Sequence, residues 1–193
     1  MKVAVIKYNA GNIQSVRIAL ERLSLTPKVT NDPDIITRSD KVIFPGVGEA
    51  SSAMEYLKER DLDQLLLNLK IPVLGICLGL QLMCHHSEEN DTDCLGIFDT
   101  TVRRFPPEDK VPHMGWNTVC NLQGALFKDI PENSFVYFVH SYFAETIPTT
   151  IARTNYILDF ACALEKDNYF AVQFHPEKSG PIGEKILKNF LEL

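Results

Sequence analysis

A short apolar run bends into a helix-like segment at Ile71-Pro72-Val73-Leu74-Gly75-Ile76-Cys77-Leu78-Gly79-Leu80-Gln81-Leu82-Met83. A strand that turns sharply into a helix, with a nucleophile between two glycines, is typical of a nucleophile elbow. Gly75 and Gly79 lack a Cβ, so the backbone can fold tightly around Cys77. The first N–H groups of the following helix favour the thiolate, which is the attacking form of cysteine. The stretch therefore predicts a cysteine-based catalytic site at the rim of a sheet.

The residues on both sides of the elbow predict an α/β fold. In the first half of the chain, short apolar strands alternate with amphipathic helices, which implies parallel crossover units in one open sheet. The second half is rich in strands separated by turn residues, and it closes with an amphipathic helix that has Pro181 in its first turn. We expect a single domain, residues 1–193, with an open, mainly parallel twisted sheet flanked by helices and an added antiparallel β arm.

The predicted elements have definite bounds in the sequence. Two turn-rich segments, Asn31-Asp32-Pro33-Asp34 and Pro45-Gly46-Val47-Gly48, are expected to be loops. Strands are expected at Lys2–Ile6, Lys28–Thr30, Lys41–Phe44, Val73–Ile76, Thr100–Phe105, Phe135–His140, Thr149–Thr154, Phe160–Leu164 and Tyr169–Phe174, and helices at Gly11–Leu23, Ala50–Arg60, Leu62–Leu69 and Ile182–Leu191.

The composition is that of an ordinary globular protein. The 193 residues are 45% apolar and 23% charged, which is enough material for a full hydrophobic core. A net charge of −6, without a basic stripe, argues against a nucleic-acid surface. The apolar runs are far shorter than the roughly 18–20 residues that span a bilayer. The N-terminal residues Met1–Ile6 also lack the long apolar region of a signal peptide. We therefore expect neither nucleic acid nor a membrane as a partner.

The five cysteines are scattered, their number is odd, and no C-x-x-C pair occurs. This usage predicts a reducing cytoplasm rather than a disulfide framework. The cluster Cys84-His85-His86 with Cys94 fits no common zinc spacing, so we interpret it as an ordinary helix end and expect no metal site. Nothing in the sequence implies an organic cofactor.

A cysteine nucleophile needs a base, and the base needs a group that orients it. His175 has the best setting because it follows an apolar strand and precedes Pro176, which favours an extended backbone. In an extended backbone, residues 175 and 177 point the same way, so the Glu177 carboxylate would accept the ring N–H of His175. We expect His140 to be a packed or hydrogen-bonded histidine, and His113 to have a structural or interface role.

Acyl transfer also requires hydrogen-bond donors for the developing oxyanion. One is expected from the backbone N–H of Leu78, the residue after the nucleophile. A second could come from the loop Pro45-Gly46-Val47-Gly48, because it leaves a neighbouring parallel strand at the same edge of the sheet. One such donor contributes roughly 3–4 kcal/mol. A loop that places or withdraws it could therefore switch the activity on and off.

Together these residues resemble the class I (triad) glutamine amidotransferases, whose fold is flavodoxin-like. The resemblance rests on Pro45–Gly48, Gly75–Gln81 and His175–Glu177. Within that family, Pro112-His113-Met114-Gly115-Trp116-Asn117 and Tyr137-Phe138-Val139-His140-Ser141-Tyr142 are similar to segments of the glutaminase subunit of imidazole glycerol phosphate synthase. The similarity extends from Asn9 to Gly180.

The resemblance implies a role for each matching residue. Cys77 would attack the side-chain amide of glutamine and form a glutamyl thioester, releasing ammonia. His175 would protonate the ammonia and then activate water, with Glu177 orienting it. Leu78 and the Val47–Gly48 backbone would hold the oxyanion. The positions that match substrate-binding residues of the family are Gly46, Gly79, Gln81, Glu89, Ser141 and Tyr142.

Glu89 lies in the acidic stretch Ser87–Asp93, which is otherwise interpreted as a solvated loop. A carboxylate at this position would suit the α-ammonium of glutamine.

A partner is also implied. In the family, a separate (β/α)8-barrel cyclase subunit forms a heterodimer with the glutaminase and receives ammonia through its interior. Ammonia released into neutral water becomes mostly ammonium and loses its nucleophilic lone pair, so direct transfer has a physical motive. The residues that match positions at or near that interface are Asn12, Trp116, Tyr137 and Lys178.

Several alternatives remain open on the sequence. The segment Lys7–Gly11 departs from the turn that usually precedes Gly-Asn in the family. A paralogous protein could supply ammonia for the amidation of a bacterial surface sugar. A free-standing cysteine hydrolase or peptidase could use the same sheet, but the aromatic residues near the site fit a docking face better. A non-catalytic binding protein would not need an intact Cys77, His175 and Glu177.

Overall fold

The computed structural model describes residues 1–9 and 12–193 of the chain. Within these residues, a central sheet of eleven strands is flanked by helices, and a separate two-stranded ribbon lies beside it. The strands are β1 Val3–Ile6, β2 Lys28–Thr30, β3 Lys41–Gly46, β4 Val73–Cys77, β5 Cys84–Ser87, β6 Thr92–Asp93, β7 Phe98–Arg104, β8 His113–Val119, β9 Ser134–His140, β10 Tyr142–Ala144, β11 Thr150–Tyr156, β12 Leu158–Lys166 and β13 Tyr169–Val172. The helices are α1 Ile13–Arg22, α2 Pro33–Thr37, α3 Ala50–Lys58, α4 Leu62–Asn68, α5 Leu78–Met83 and α6 Gly180–Leu191, with single 3-10 turns at Ala125–Phe127 and Pro176–Lys178.

The parallel half of the central sheet has the order β2-β1-β3-β4-β13, and every neighbouring pair in it is parallel. This is the order of a flavodoxin-like doubly wound sheet. The carboxyl ends of β3, β4 and β13 therefore lie side by side at one edge. Ligands of open α/β sheets bind at such an edge.

The sheet separates two hydrophobic cores because successive side chains of a strand point to opposite faces. Val3 and Val5 of β1 pack in the core that includes residues of α1 and α6. Ala4 and Ile6 pack in the core that includes residues of α3 and α4. All four residues are almost completely buried, which explains why β1 is a continuous apolar run.

The added arm is antiparallel, as predicted. β12 pairs antiparallel with β11 on one side and with β13 and β10 on the other, and β10 pairs antiparallel with β7. β8 and β9 form the separate ribbon, in which Trp116 lies opposite Tyr137 and His113 lies opposite His140. The predicted fold class is thereby confirmed.

The observed bounds differ from the predicted ones at a few informative places. β3 does not stop at Phe44, because Pro45 and Gly46 continue the parallel ladder opposite Ile76 and Cys77. The helix predicted at Gly11–Leu23 is observed as Ile13–Arg22, and its predicted start at Gly11 lies outside the described residues.

The turn expected around Asp32 is wrong, because the chain forms the short helix α2 there. The Asp32 carboxylate accepts hydrogen bonds from the N–H groups of Asp34 and Ile35, at 2.9 Å and 3.4 Å. Pro33 occupies the first turn of the helix. A backbone N–H at this position would have no partner within the helix, so proline costs no hydrogen bond there. The Asp-Pro pair is therefore a helix start in this context.

Four segments form strands that were not predicted: Cys84–Ser87, Thr92–Asp93, His113–Val119 and Tyr142–Ala144. Cys84–Ser87 is strand β5, not a helix end, because it pairs with β7 and β6 after α5 has stopped at Met83. His113–Val119 is strand β8, whose pairing partner β9 lies more than a dozen residues further along the chain. The acidic stretch is only partly a loop, since Ser87 is buried and Thr92–Asp93 forms β6.

Candidate active site

The elbow holds its cysteine in a strained conformation. Cys77 is the last residue of β4 and the N-cap of α5, with φ 55° and ψ −106°. L-residues rarely adopt this conformation, and it persists only where the surroundings enforce it. A Cβ on Gly79 would lie 1.9 Å from the carbonyl oxygen of Phe44, so the backbone of α5 packs directly on β3. A Cβ on Gly75 would lie 2.7 Å from Met83 Sδ. Both glycines are thus required by close packing around the elbow.

The predicted oxyanion loop lies beside the nucleophile. Gly46 is paired with Cys77 in the β3–β4 ladder, so the residues that leave β3 start next to the elbow. Gly48 has φ 126°, which favours glycine, and its Cβ position is open space. Leu78 begins α5 directly after the nucleophile. The backbone segments expected to hold an oxyanion thus meet at Cys77.

His175 and Glu177 form a buried pair. Both side chains are completely shielded from solvent, and His175 Nδ1 lies 2.7 Å from Glu177 Oε1. This contact was predicted from an extended backbone through residue 177. The observed reason is different: His175 itself is extended, but Pro176–Lys178 is a 3-10 turn that brings the carboxylate back to the ring.

The opposite ring nitrogen, His175 Nε2, is buried and has no hydrogen-bond partner among the described residues. Burial by itself would lower the pKa of His175. The proximity of Cys77 and the hydrogen bond and charge of Glu177 outweigh it, and they raise the pKa of His175 to about 10. The ring is therefore protonated at neutral pH when it faces the cysteine and the carboxylate. An imidazolium is the form that can donate a proton to a leaving amine.

Asn12 is a partly buried residue that hydrogen-bonds to this pair. Its side-chain amide donates to Glu177 Oε1 and lies 3.4 Å from His175 Nδ1. It was expected at the partner interface, and the structure places its side chain against the histidine–glutamate pair. Asn12 also has φ 72°, a left-handed conformation that asparagine tolerates better than most residues.

A cavity of about 330 Å³ opens onto the elbow. Many of its lining residues were predicted from the sequence, but Pro112 and Val139 were not, and His140 was interpreted as a packed histidine only. Gly46 and Gly79 are not among the described residues that line this cavity; both are buried under it. The residues that line it are Val47, Gly48, Cys77, Leu78, Gln81, Glu89, Pro112, Val139, His140, Ser141 and Tyr142.

Comparisons with known proteins agree with this geometry. The family model "Glutamine amidotransferase class-I" matches residues 4–193. The chain belongs to this family. It is 60% identical to a Bacteroides fragilis protein and 46% identical to an Escherichia coli protein, both named "Imidazole glycerol phosphate synthase subunit HisH", and each alignment covers 100% of both chains.

Solved structures agree in fold. A crystal structure described as a glutamine amidotransferase has a TM-score of 0.78 at 18% identity, covering 98% of this chain and 97% of that one. Another, of a glutamine amidotransferase from Thermotoga maritima, has a TM-score of 0.66 at 16% identity, covering 99% and 82%. As a class I glutamine amidotransferase, the chain is a glutamine-hydrolysing enzyme, as its sequence predicted.

Glu89 lines the cavity and accepts a hydrogen bond from the N-terminus of helix α3. Its Oε2 accepts the N–H of Ala50 at 2.8 Å, at the start of α3. Burial raises the pKa of Glu89, the Ala50 hydrogen bond lowers it, and nearby Glu49 raises it further. The hydrogen bond holds the carboxylate at the cavity wall, where it can face a cation.

His113 and His140 form a buried histidine pair behind the cavity. His113 Nδ1 lies 3.1 Å from His140 Nε2, and His140 Nδ1 lies 2.7 Å from the carbonyl oxygen of Tyr142. The Tyr142 carbonyl can only accept, so His140 Nδ1 carries the proton and Nε2 accepts from His113. Burial lowers the pKa of His113 to about 4 and that of His140 to about 3. Both rings are therefore neutral in the folded protein.

This pair predicts acid sensitivity of the fold. In the unfolded chain both histidines bind protons below their ordinary pKa of 6.5, but in the folded chain neither does until far lower pH. Their stabilisation is complete above pH 6.5 and is lost as the pH falls, by about 1–2 kcal/mol for each ring at pH 5. Urea unfolding at pH 7 and pH 5 measures this loss. The loss should be smaller in His113→Leu and unchanged in His85→Gln, which alters an exposed histidine; equal losses in all three proteins would refute the prediction.

Three of the four predicted interface residues come together at the β8–β9 ribbon: Trp116 and Tyr137 belong to it, and Lys178 lies beside it. The Trp116 ring contacts the Tyr137 ring edge-on at 6.0 Å, and Lys178 Nζ lies 5.9 Å from the Tyr137 ring centre. Met114 and Phe135 expose 58% and 59% of their surface on the same ribbon. The ribbon is tied to the buried pair as well, since the N–H of His175 donates to the carbonyl of Tyr137 at 2.9 Å.

The described residues form neither a metal-binding cluster nor a membrane-spanning helix. In the ranges 1–9 and 12–193, no three His, Cys, Asp or Glu side chains converge in a group that could hold a metal ion. No helix in the same ranges is both long and apolar enough to cross a membrane. All five cysteines are free thiols.

Proposed function

We propose that this protein is the glutaminase subunit of an imidazole glycerol phosphate synthase and that it supplies ammonia for histidine biosynthesis in the cytoplasm. The observation that carries the proposal is that Cys77 lines the cavity, with the buried His175–Glu177 pair close enough to Cys77 for that residue to raise the pKa of His175. The choice of pathway is supported by the 60% and 46% sequence identity, over the full length of both chains, to proteins named as subunit HisH of that synthase. The five free thiols fit a reducing compartment.

In the first half of the proposed reaction, the Cys77 thiolate attacks the side-chain carbonyl of glutamine. The carbonyl electron pair moves to oxygen, where the N–H of Leu78 and the Val47–Gly48 backbone stabilise the negative charge. The C–N bond then breaks, and the imidazolium of His175 gives its proton to the leaving nitrogen. Ammonia and a glutamyl thioester on Cys77 result.

In the second half, water replaces ammonia. Neutral His175 takes a proton from water, the resulting hydroxide adds to the thioester carbonyl, and the C–S bond breaks with its electron pair returning to sulfur. Glutamate leaves, and the thiolate and imidazolium are restored. Glu177 keeps the ring oriented and stabilises its positive charge in both halves. The Asn12 side-chain amide donates to Glu177 Oε1, the same oxygen that contacts His175.

The cavity offers contacts for both ends of the substrate. We propose that the Glu89 carboxylate binds the α-ammonium of glutamine, since it lines the cavity and is fixed by Ala50. Gln81, Ser141 and Tyr142 line the same cavity and are proposed to hold the amino-acid end. Gly46 and Gly79 contribute through packing, because neighbouring groups lie so close to both glycines that a Cβ would not fit.

The Glu89 role predicts a specific kinetic defect. In Glu89→Gln the cavity keeps its shape but loses its anionic partner for the α-ammonium. We expect the KM for glutamine to rise about 10–100-fold, with kcat changed less than about threefold, because this contact is the same in ground and transition states. Steady-state glutaminase kinetics of the activated complex give both constants.

Glu88→Gln is the matched control for that experiment. Glu88 is the neighbouring glutamate, but it faces solvent and pairs with Arg103. Its replacement should leave both constants unchanged. A KM in Glu89→Gln that stays within about twofold of the wild-type value would contradict the proposed substrate contact.

The proposed partner is a (β/α)8-barrel cyclase subunit that forms a heterodimer with this chain. The exposed face of the ribbon, formed by Met114, Trp116 and Phe135, supports a docking role, and Tyr137 and Lys178 continue it towards the buried pair. Docking there would bring the partner next to the segment that carries His175. Ammonia could then enter the partner without protonation by bulk water.

Reconstitution with such a cyclase tests the function. We expect little glutaminase activity from the chain alone and a large increase when the cyclase and its nucleotide ligand are present. High activity without any partner would favour a free-standing hydrolase. Activation by a sugar-modifying synthetase, with no response to the cyclase, would favour the paralogous amidation pathway.

A further inference from the structure

Gln173 is a buried polar residue whose side chain reaches the nucleophile. It follows β13, its surface is completely shielded from solvent, and its N–H donates to the carbonyl of Cys162 at 2.8 Å. Its side-chain Nε2 lies 3.6 Å from Cys77 Sγ, and its Oε1 accepts a hydrogen bond from Gln81 at 3.1 Å. A buried amide in this position has a donor directed at the reacting atom.

A backbone carbonyl fixes which end of the Gln173 amide faces the sulfur. The carbonyl oxygen of Tyr142 can only accept hydrogen bonds, so the group 3.1 Å from it must be the amine end of Gln81. The second hydrogen of that amine is directed at Gln173 Oε1. Gln173 must therefore turn its own NH₂ group towards Cys77. The hydrogen-bond network, and not an arbitrary amide assignment, sets this orientation.

The sulfur has different partners in its two protonation states. A thiol can donate weakly to the carbonyl oxygen of Val139, which lies 3.9 Å from Sγ. A thiolate has no proton to donate, and it accepts the Gln173 N–H instead. Hydrogen bonds to a charged acceptor are stronger than those to a neutral one. The Gln173 contact therefore favours the nucleophilic form.

We propose that Gln173 is a further catalytic residue, which donates a hydrogen bond to the Cys77 sulfur whenever that atom carries negative charge. This occurs twice in a cycle: in the thiolate that attacks glutamine, and in the thiolate that is expelled when the C–S bond of the thioester breaks. The proposal rests on the proposed role of Cys77 as nucleophile. Two nearby titratable groups have shifted pKa values: burial and then Cys77 raise the pKa of Tyr8, and Cys77 and Glu177 raise the pKa of His175 against the effect of burial. Gln173 differs from both because it is neutral at every pH.

Gln173→Met tests the proposal because methionine keeps the length of the side chain and removes the donor. In the complex with the cyclase, kcat for glutamine should fall about 10–100-fold, the loss expected for one hydrogen bond to a charged group. The KM should stay within about threefold, since Gln173 does not line the described cavity. Alkylation of Cys77 by iodoacetamide, followed by peptide mass spectrometry, should slow by a similar factor. Alkylation of half-exposed Cys120 in the same sample should be unchanged.

Asn189→Leu is the control for loss of a buried amide. The Asn189 side chain is buried and donates to the carbonyls of Leu126 and Lys128, far from the hydrogen bonds described above. It should lower stability and leave kcat and Cys77 alkylation unchanged. A Gln173→Met enzyme with wild-type kcat and wild-type alkylation would overturn the proposal, provided that the wild-type complex hydrolyses glutamine. An inactive wild-type complex would instead refute the proposed function.

If Gln173→Met does not fold, the contact between Gln173 and the Cys77 sulfur can still be tested in the wild-type protein. Its mass of 21.8 kDa permits nuclear magnetic resonance of the Gln173 side-chain amide. Those resonances should shift when Cys77 is alkylated and when it is replaced in Cys77→Ala. Unchanged resonances in both samples would show that the amide does not contact the sulfur, which would also overturn the proposal.

Discussion

Cys77→Ala should abolish glutamine-dependent synthesis by the reconstituted complex while sparing synthesis from free ammonia. We expect the glutamine-dependent rate to fall at least about 10³-fold, because no covalent thioester can form without the sulfur. Synthesis from added ammonium salt should stay within about twofold of wild type, because the partner performs that chemistry. Alanine has a Cβ, as cysteine has, so the strained φ of 55° at residue 77 is unchanged.

Cys120→Ala controls for the loss of a thiol elsewhere in the chain, since Cys120 is half-exposed and lies on no wall of the described cavity. It should retain full activity with both nitrogen sources. Two outcomes would contradict the proposed division of labour: glutamine-dependent synthesis that persists in Cys77→Ala, or ammonia-dependent synthesis that disappears with it.

Gly79→Ala should strongly destabilise the fold. The new Cβ would stand 1.9 Å from the carbonyl oxygen of Phe44, which belongs to the backbone of β3 and cannot move aside alone. Helix propensity favours alanine by about 1 kcal/mol, but overpacking against a backbone outweighs it. We expect a net destabilisation of about 3–5 kcal/mol, and a fall in Tm of about 10 °C or more.

Gly115→Ala separates this clash from backbone strain. Gly115 has φ 135°, but a Cβ there would meet nothing within 4 Å. We expect it to cost only about 1–2 kcal/mol. Urea unfolding of both variants gives the comparison, and a Gly79→Ala protein as stable as Gly115→Ala would show that α5 does not rest on β3 as closely as described.

The local residue pattern predicted the parallel half of the fold well. β2 was predicted with its observed bounds, and β1 and β4 each differed by one residue at one end, because buried parallel strands are uninterrupted apolar runs between helices. The extension of β3 was missed because Pro45 and Gly46 usually signal a turn. Pairing with β4 overrode that preference, and it is this pairing that brings Gly46 opposite Cys77.

The catalytic residues could be predicted where the residue type by itself indicates the chemistry. A cysteine between glycines and a His-x-Glu segment indicate a nucleophile and its base. Gln173 was missed although a signal was present, since it is a polar residue embedded in the apolar run Phe170–Phe174. Its partners Gln81 and Cys77 lie about ninety residues away. A lone sequence does not specify contacts at that separation.

Local sequence was sufficient for the elbow, for the alternation of strands and helices, and for the residue types able to perform acyl transfer, because each depends on neighbours within a few positions. Which groups meet was settled by the three-dimensional arrangement alone. In the folded chain, Pro176–Lys178 forms a 3-10 turn that brings the Glu177 carboxylate next to His175, and the Asn12 side chain contacts this pair. Neighbouring residues set backbone conformation and burial, whereas the approach of distant side chains depends on how the strands are ordered in the sheet.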